Sequence, residues 1–284
     1  GPTKRMPAGA AMMIKAVGGG GGRGMRVVHT EAELAEAYPR CRSEARAAFG
    51  LDEVYVERLI ERARHVEVQV IGDAAGAITH LWERECTIQR RHQKLVEIAP
   101  SPSLADALRA RIVDAALVLA RAAGYDSLGT FEFLVDADAD PDGPDAFAFI
   151  EANARLQVEH TVTEAVLGVD LVQAQIRVAA GATLGELGLA QADVPRPRGY
   201  AIQLRVNMET MDETGATHPS AGTLAAFQPP AGPGIRVDSF GYAGYRVSNA
   251  FDSLLAKVIA HSPSPRFADT AAKARRALRE FRID

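Results

Sequence analysis

Apolar positions along the chain change their period several times, and each change marks an element. "AMMIKAV" (11–17) and "MRVVHT" (25–30) are short runs of strand formers separated by a glycine-rich stretch, so a strand, a loop and a second strand are expected. Thr30 followed by Glu33 has the spacing of a capping box and opens a helix through "EAELAEAYPRCRSEARAAF", with a break expected near Pro39, which has no N–H to donate. "EVYVERLI", "HVEVQVIGD" and "AITHLWE" alternate like antiparallel strands, with "DAAG" (73–76) as the turn between the last two. A polar stretch, "RECTIQRRHQK", precedes a helix expected from Ser103 to Ala123, and "GTFEFLVD" and "AFAFIEA" then flank the turn-rich "ADADPDGPD" as a hairpin. One helix is expected from Thr163 to Ala180 with Gly181 as its stop, then a strand at "GYAIQLRVN" (199–207) and a last helix from Arg266 to Phe281. Strands grouped with strands predict an α+β fold with mainly antiparallel sheets: a small subdomain over 1–57 and a larger antiparallel-sheet domain with helices over 58–284.

Composition narrows the function classes. With 47% hydrophobic and 24% charged residues in 284, the chain can bury a core. A net charge of −4 argues against bulk attraction to nucleic acid or an anionic membrane, and "QRRHQK" lacks interleaved aromatic rings to stack on bases. No apolar run approaches the roughly 18 residues a membrane span needs. Cys41 and Cys86 are the only cysteines, which fits a reducing, cytoplasmic setting and excludes a thiolate metal site. Cys86 and Trp82 are expected to pack, and His80 and His160 to be structural or exposed.

Three features carry candidate chemistry. The glycine run after Lys15 is not a Walker A loop and leads into a strand rather than a helix, so it suits a lid over phosphates with Lys15 beside it and Arg23 at its tip. A disordered linker is the plain alternative. Centring the hairpin loop between Pro141 and Asp142 sets Glu132 opposite Glu151, where like charges destabilise unless a cation intervenes. Two carboxylates with Asn153 nearby suit Mg²⁺, although a solvated surface pair fits the pattern equally well. Finally, "EANARLQVEH" (151–160) alternates five polar residues with four apolar ones, as one face of a strand would. A straight strand would separate Glu151 from Glu159 by roughly 26 Å, so one small site requires the segment to bend after about Arg155.

The strings "IKAVGGGGGRGMRVV", "VYVERLIERARHVEVQVIGD", "ERECTIQRRHQKLVEIAPSP", "GTFEFLVD", "FIEANARLQVEHTVTEAVLGVDLVQAQIRVAAG" and "GYAGYRV…FDSLLAKVIA" span nearly the whole chain, and with them the chain resembles the biotin carboxylase family of ATP-grasp enzymes. The resemblance implies an ATP-grasp fold, with the region through 57 as lid subdomain and 58–284 as large subdomain plus part of the C-terminal region. It implies ATP contacts at Lys15, Gly21, Gly22, Glu57, Arg58, Leu59, Ile60, His65, Gln89, His92, Glu132 and Glu151, and Mg²⁺ or Mn²⁺ at Glu132, Glu151 and Asn153. It also implies a bicarbonate pocket of Lys94, Arg155, Gln157, Val158 and Glu159, and Arg236 near biotin. Lys94, Arg155, Glu159 and Arg236 are the implied catalytic set.

The activity so implied is ATP-dependent carboxylation of biotin. Glu159 takes the acidic proton of bicarbonate, carboxyphosphate forms, and Arg236 stabilises an enolate-like biotin oxygen. The implied partners are bicarbonate, a biotin carrier domain, a carboxyltransferase domain and a second copy of the parent enzyme. The family has a nucleotide-fold domain before the lid and further residues after "REFRID", so an internal piece of a longer enzyme is expected. Gln203 where glutamate is common, and the long "METMDETGATHPSAGTL", are similar to single-chain acyl-CoA carboxylases. A carbamoyl-phosphate-synthetase-type ligase and an inert nucleotide-binding fragment remain as alternatives.

Overall fold

The computed structural model describes residues 11–18, 25–248 and 252–284. They form two compact units, one made from the described residues up to Ala63 with Gln89–Lys94 and Asp136–Ala139, the other from the remaining described residues.

In the first unit, β1 (Met12–Ala16) lies between β2 (Met25–Val28) and β3 (Val54–Arg58), antiparallel to both. Helix α1 (Glu31–Phe49) covers this sheet with Ala37, Cys41 and Ala45, a four-residue spacing that keeps one face inward. Thr30 caps the helix by accepting from the Glu33 N–H, and Glu33 accepts from the His29 N–H at 2.7 Å. The break expected at Pro39 does not occur. Pro39 lies on the exposed side of a continuous helix, where water can meet the carbonyl left without a donor, while the buried face stays in phase.

The second unit is built on an eight-stranded sheet of β4 (Ala63–Gly72), β5 (Ile78–Arg90), β6 (Gln93–Ala99), β7 (Ser127–Asp136), β8 (Phe147–Asn153), β9 (Tyr200–Asn207), β14 (Ile235–Ser239) and β16 (Leu254–Ser262), in the order β14-β16-β9-β6-β5-β4-β7-β8. Short strands β10 (Glu209–Met211), β11 (Thr217–Pro219), β12 (Gly222–Thr223), β13 (Phe227–Gln228), β15 (Arg246–Val247) and β17 (Arg282–Ile283) make three small two-stranded ladders. One face of the large sheet packs Val66, Val68, Val70, Phe131 and Phe133 under α2 (Asp106–Ala122), and α5 (Phe267–Glu280) covers Ile98, Ile202 and Ala260. The other face packs Ile71, Leu81 and Ile259 against α3 (His160–Leu167) and α4 (Leu171–Ala179).

One expectation changes here, and one stretch with no predicted element gains one. The polar stretch "RECTIQRRHQK" is a hairpin: three adjacent charges hide an alternation in which Glu83 and Glu85 meet Arg109 and Arg64 while Arg84 points to Glu67. The single helix of 163–180 is two. Gly168, at φ 72°, ends α3 with its N–H on the Glu164 carbonyl, and Asp170 starts α4 by accepting from the Gln173 N–H at 2.7 Å. Trp82 sits at φ 62° in a bulge of β5, packs against the core and donates to the Pro195 carbonyl at 3.0 Å. Among the described residues, no helix is long and apolar enough to cross a membrane.

Candidate functional site

Glu132 of β7 stands opposite Glu151 of β8, the register that the symmetry of the loop predicts. Asn153 Nδ2 donates to both carboxylates, at 3.0 Å to Glu132 and 3.1 Å to Glu151. Gln157 Nε2 donates to the same Glu132 oxygen at 2.8 Å, and His65 Nε2 lies 2.7 Å from the other. Glu132 is buried and Glu151 exposed. Two opposed carboxylates, with an amide that can turn its oxygen toward them, are a donor set that fits a hard divalent cation such as Mg²⁺ or Mn²⁺.

The chain leaves the strand after Asn153 and turns before α3 begins at His160. The five alternating polar residues therefore do not share a face, which the spacing argument for a bend requires. Arg155 is exposed, with Nη1 on the Leu156 carbonyl at 3.2 Å, whereas Gln157 and Glu159 turn inward and are buried. The His160 ring meets the Gln157 carbonyl at 2.8 Å and holds this turn.

Glu159 enters a buried polar cluster that alternation alone did not reveal. Arg205 of β9 donates through Nε to Glu97 at 2.6 Å and through Nη2 to Glu159 at 3.0 Å. Gln203 donates to the second Glu97 oxygen at 2.8 Å and accepts from the Thr161 hydroxyl. Arg84, fully buried, donates to Glu67 at 2.5 Å, Gln69 at 2.7 Å, Thr163 at 3.0 Å and Thr130 at 3.2 Å. The Cys86 sulfur lies among the Glu67 and Glu159 carboxylates, all within 4.8 Å, so its setting is polar rather than a hydrocarbon core. Burial pushes the Glu97 carboxyl up to about 7, against the pull of Arg205 and with the help of Glu159. Burial works against the charge on Arg84 and Arg205, but the neighbouring carboxylates outweigh it and raise both.

Lys257 Nζ donates to the Val158 carbonyl at 3.1 Å and lies 3.3 Å from Asp238. Asp238 also accepts twice from Arg236, at 2.7 and 2.9 Å, and Arg236 Nη1 donates to Glu164 at 2.6 Å. Hydrogen bonds to Asp238, then to Glu164, hold the Arg236 guanidinium firmly in its charged form. Arg236 borders a cavity of about 650 Å³ lined by Val169, Val172, Ile235 and Ile259. Arg205, Glu97, Arg84 and Lys257 were not singled out from sequence; for Arg205 the signal is polar residues at every second place in "AIQLRV".

The remaining expected residues belong to the first unit. Lys15 pairs with Glu57, and the Leu59 N–H donates to the Ala11 carbonyl at 2.9 Å, with Arg58 exposed and Ile60 buried. Gln89 and Lys94 flank a two-residue turn in which Arg91 and His92 both adopt positive φ, 52° and 63°. Such values are usual for Asn or Gly, so the flanking strands hold a strained tip. Gly21, Gly22 and Arg23 lie outside the described residues.

Residues 6–187 match the family model for the carbamoyl-phosphate synthase L chain ATP-binding domain, and residues 203–284 match the biotin carboxylase C-terminal domain. Pyruvate carboxylase 1 of Caenorhabditis elegans is 49% identical over 276 residues, covering 97% of this chain and 23% of that protein. The Rhizobium etli pyruvate carboxylase structure with the allosteric activator acetyl coenzyme-A superposes with a TM-score of 0.87 at 46% identity, over 96% of this chain and 24% of that one. The biotin carboxylase domain dimer of the Hydrogenobacter thermophilus 2-oxoglutarate carboxylase, in complex with MgADP, ADP and bicarbonate, gives 0.86 at 41% identity, over 96% and 57%. The chain thus spans about a quarter of the length of the curated pyruvate carboxylases it matches. By its ATP-binding and C-terminal segments alike, the chain belongs to the biotin carboxylase family.

Proposed function

We propose that this chain is the ATP- and bicarbonate-handling part of a biotin-dependent carboxylase, acting by ATP-dependent carboxylation of biotin. The observation that carries the reading is the Glu132–Glu151 pair, one turn of chain away from the buried Glu159. Glu132, Glu151 and Asn153 would hold a divalent cation, which when bound supplies positive charge against the phosphate oxygens of ATP. Lys15, Gly21 and Gly22 serve the phosphates, while Glu57 to Ile60, His65, Gln89 and His92 serve the rest of the nucleotide. Arg155, Gln157, the Val158 backbone and Lys94 bind bicarbonate, and Glu159 accepts its remaining acidic proton so that an oxygen can attack the γ-phosphate. Arg236 serves the biotin oxygen, on a carrier domain that this stretch of chain does not itself supply.

The match of 203–284 to the biotin carboxylase C-terminal domain favours biotin over ammonia as the acceptor, although the ATP-binding segment bears the synthetase name. The acyl-CoA assignment has less support, since the curated relatives are pyruvate carboxylases and favour a 2-oxoacid as final acceptor. The small unit is assigned the lid role, and partnership with carboxyltransferase and carrier domains follows from the same relatives. Bicarbonate-dependent ADP release by the full-length enzyme, measured with biotin and with ammonia, tests the proposal: stimulation by biotin alone is expected. Stimulation by ammonia alone supports the synthetase reading, and tight Mg-ATP binding without turnover supports an inert nucleotide binder.

A further inference from the structure

We infer that Arg205 is a positioning residue for the proposed base: clamped between Glu97 and Glu159, it passes the charge state of Glu97 to the carboxylate that meets bicarbonate. The inference rests on the assignment of Glu159 above.

Its geometric basis is a single planar guanidinium divided between two buried acids, Nε at 2.6 Å from Glu97 and Nη2 at 3.0 Å from Glu159. The other Glu97 oxygen is met by the neutral amide of Gln203, and a glutamate at that place would put another acid on Glu97. Groups from several elements face this clamp. From β4 and β5 come Glu67, Arg84, which pairs with Glu67 and whose charge also acts on Glu159, and Cys86. From the turn and α3 come His160, on the Gln157 carbonyl, and Thr161, on Gln203. From β16 comes Lys257, opposite Arg205 in the ladder and engaged by Val158 and Asp238. Arg205 is therefore the cation that Glu97 and Glu159 share.

A proton on Glu97 changes that sharing. With Glu97 protonated, Arg205 is drawn to Glu159 alone. With Glu97 ionised, the guanidinium is divided between the two carboxylates. Burial puts the Glu97 transition at about 7, so the hold of Arg205 on the Glu159 carboxylate loosens as pH rises through neutrality.

The test measures bicarbonate-dependent ADP release against pH in the full-length carboxylase, at saturating Mg-ATP. The wild-type rate is expected to rise through an inflection near 7. Glu97→Gln removes the inflection and holds the rate near the low-pH plateau, about tenfold below wild type at high pH, with KM for ATP unchanged. Arg205→Lys keeps one positive charge and restores part of the rate that Arg205→Gln loses. In parallel, carboxyl carbon-13 NMR of the 284-residue chain follows the Glu97 titration directly, and Glu159→Gln is expected to move it to lower pH by removing a like charge. Retention of the inflection in Glu97→Gln, or an equal loss of rate at every pH, overturns the inference and leaves Arg205 as scaffold. Full activity in Glu159→Gln instead sinks the base assignment, an outcome the NMR titration distinguishes because it reports the clamp without turnover.

Discussion

Two acid-rich places on one sheet solve the same problem in opposite ways. At the hairpin end, Glu132 and Glu151 face each other beside the Asn153 amide and the His65 ring, with Glu151 open to solvent. Deeper in, Glu67, Glu97 and Glu159 are buried but interleaved with Arg84 and Arg205, each of which bonds more than one partner. The first place is open to an external partner through Glu151, and the second is closed around its own arginines. A carboxylate pair with one solvent-facing member is therefore the better pointer to a ligand, and a buried ion network the better pointer to a positioned reactive group.

The contrast can be broken most forcefully at Glu159. Glu159→Ala is expected to lower bicarbonate-dependent ADP release in the full-length enzyme by ~10²–10⁴-fold, the usual worth of a general base; a loss under threefold would make the inner cluster purely structural. Arg84→Met should then cost about 3–5 kcal/mol in urea unfolding of the chain, because it strands Glu67 in a dry interior. Arg84→Met with Glu67→Gln should recover much of this, since no buried charge is left unpaired.

For Glu97 the folded-state value, about 7, lies above the ordinary 4.5, so its contribution to stability is fully present below 4.5 and is lost as pH rises through 7. That loss is on the order of 3 kcal/mol at most. Urea midpoints between pH 5 and 8 should fall more steeply in wild type than in Glu97→Gln, and parallel slopes would deny the clamp its proton. The smallest effect belongs to the open pair. Glu151→Gln should stabilise the metal-free chain by about 0.2–1 kcal/mol by removing a like-charge contact, while abolishing the rise in melting temperature that Mg²⁺ with ADP is expected to produce in wild type.

Much of this layout was legible in the residues. The hairpin register followed from loop symmetry, and a bend, expected after about Arg155 and found after Asn153, from the length of a straight strand. Thr30 caps α1 as the spacing required, with Glu33 reaching back to the His29 N–H instead of that of Thr30. What stayed hidden was which face of a strand is wet. "HVEVQV" alternates as an amphipathic edge would, yet Glu67 and Gln69 are buried because the chain between Asn153 and α3 folds over that face. Hydropathy records the polarity of a side chain and not what later covers it. Adjacent charges in "ERE" likewise concealed a strand, and Gly168 within "VLGVDL" divided a helix that the apolar spacing read as continuous.

The clasp on Arg236 bears on time rather than affinity. Its guanidinium already satisfies Asp238 and Glu164, and Glu164 is in turn tied to the Leu171 N–H at 2.8 Å. Three of its five N–H groups are so engaged, so a visiting oxygen would meet a cation whose charge two carboxylates already share, and part of its binding energy would be offset on arrival. Departure would be correspondingly easy, because both carboxylates stay in place to hold the charge. Such a grip suits a group that swings in, reacts and leaves within one cycle, and it would serve poorly for a ligand that has to stay.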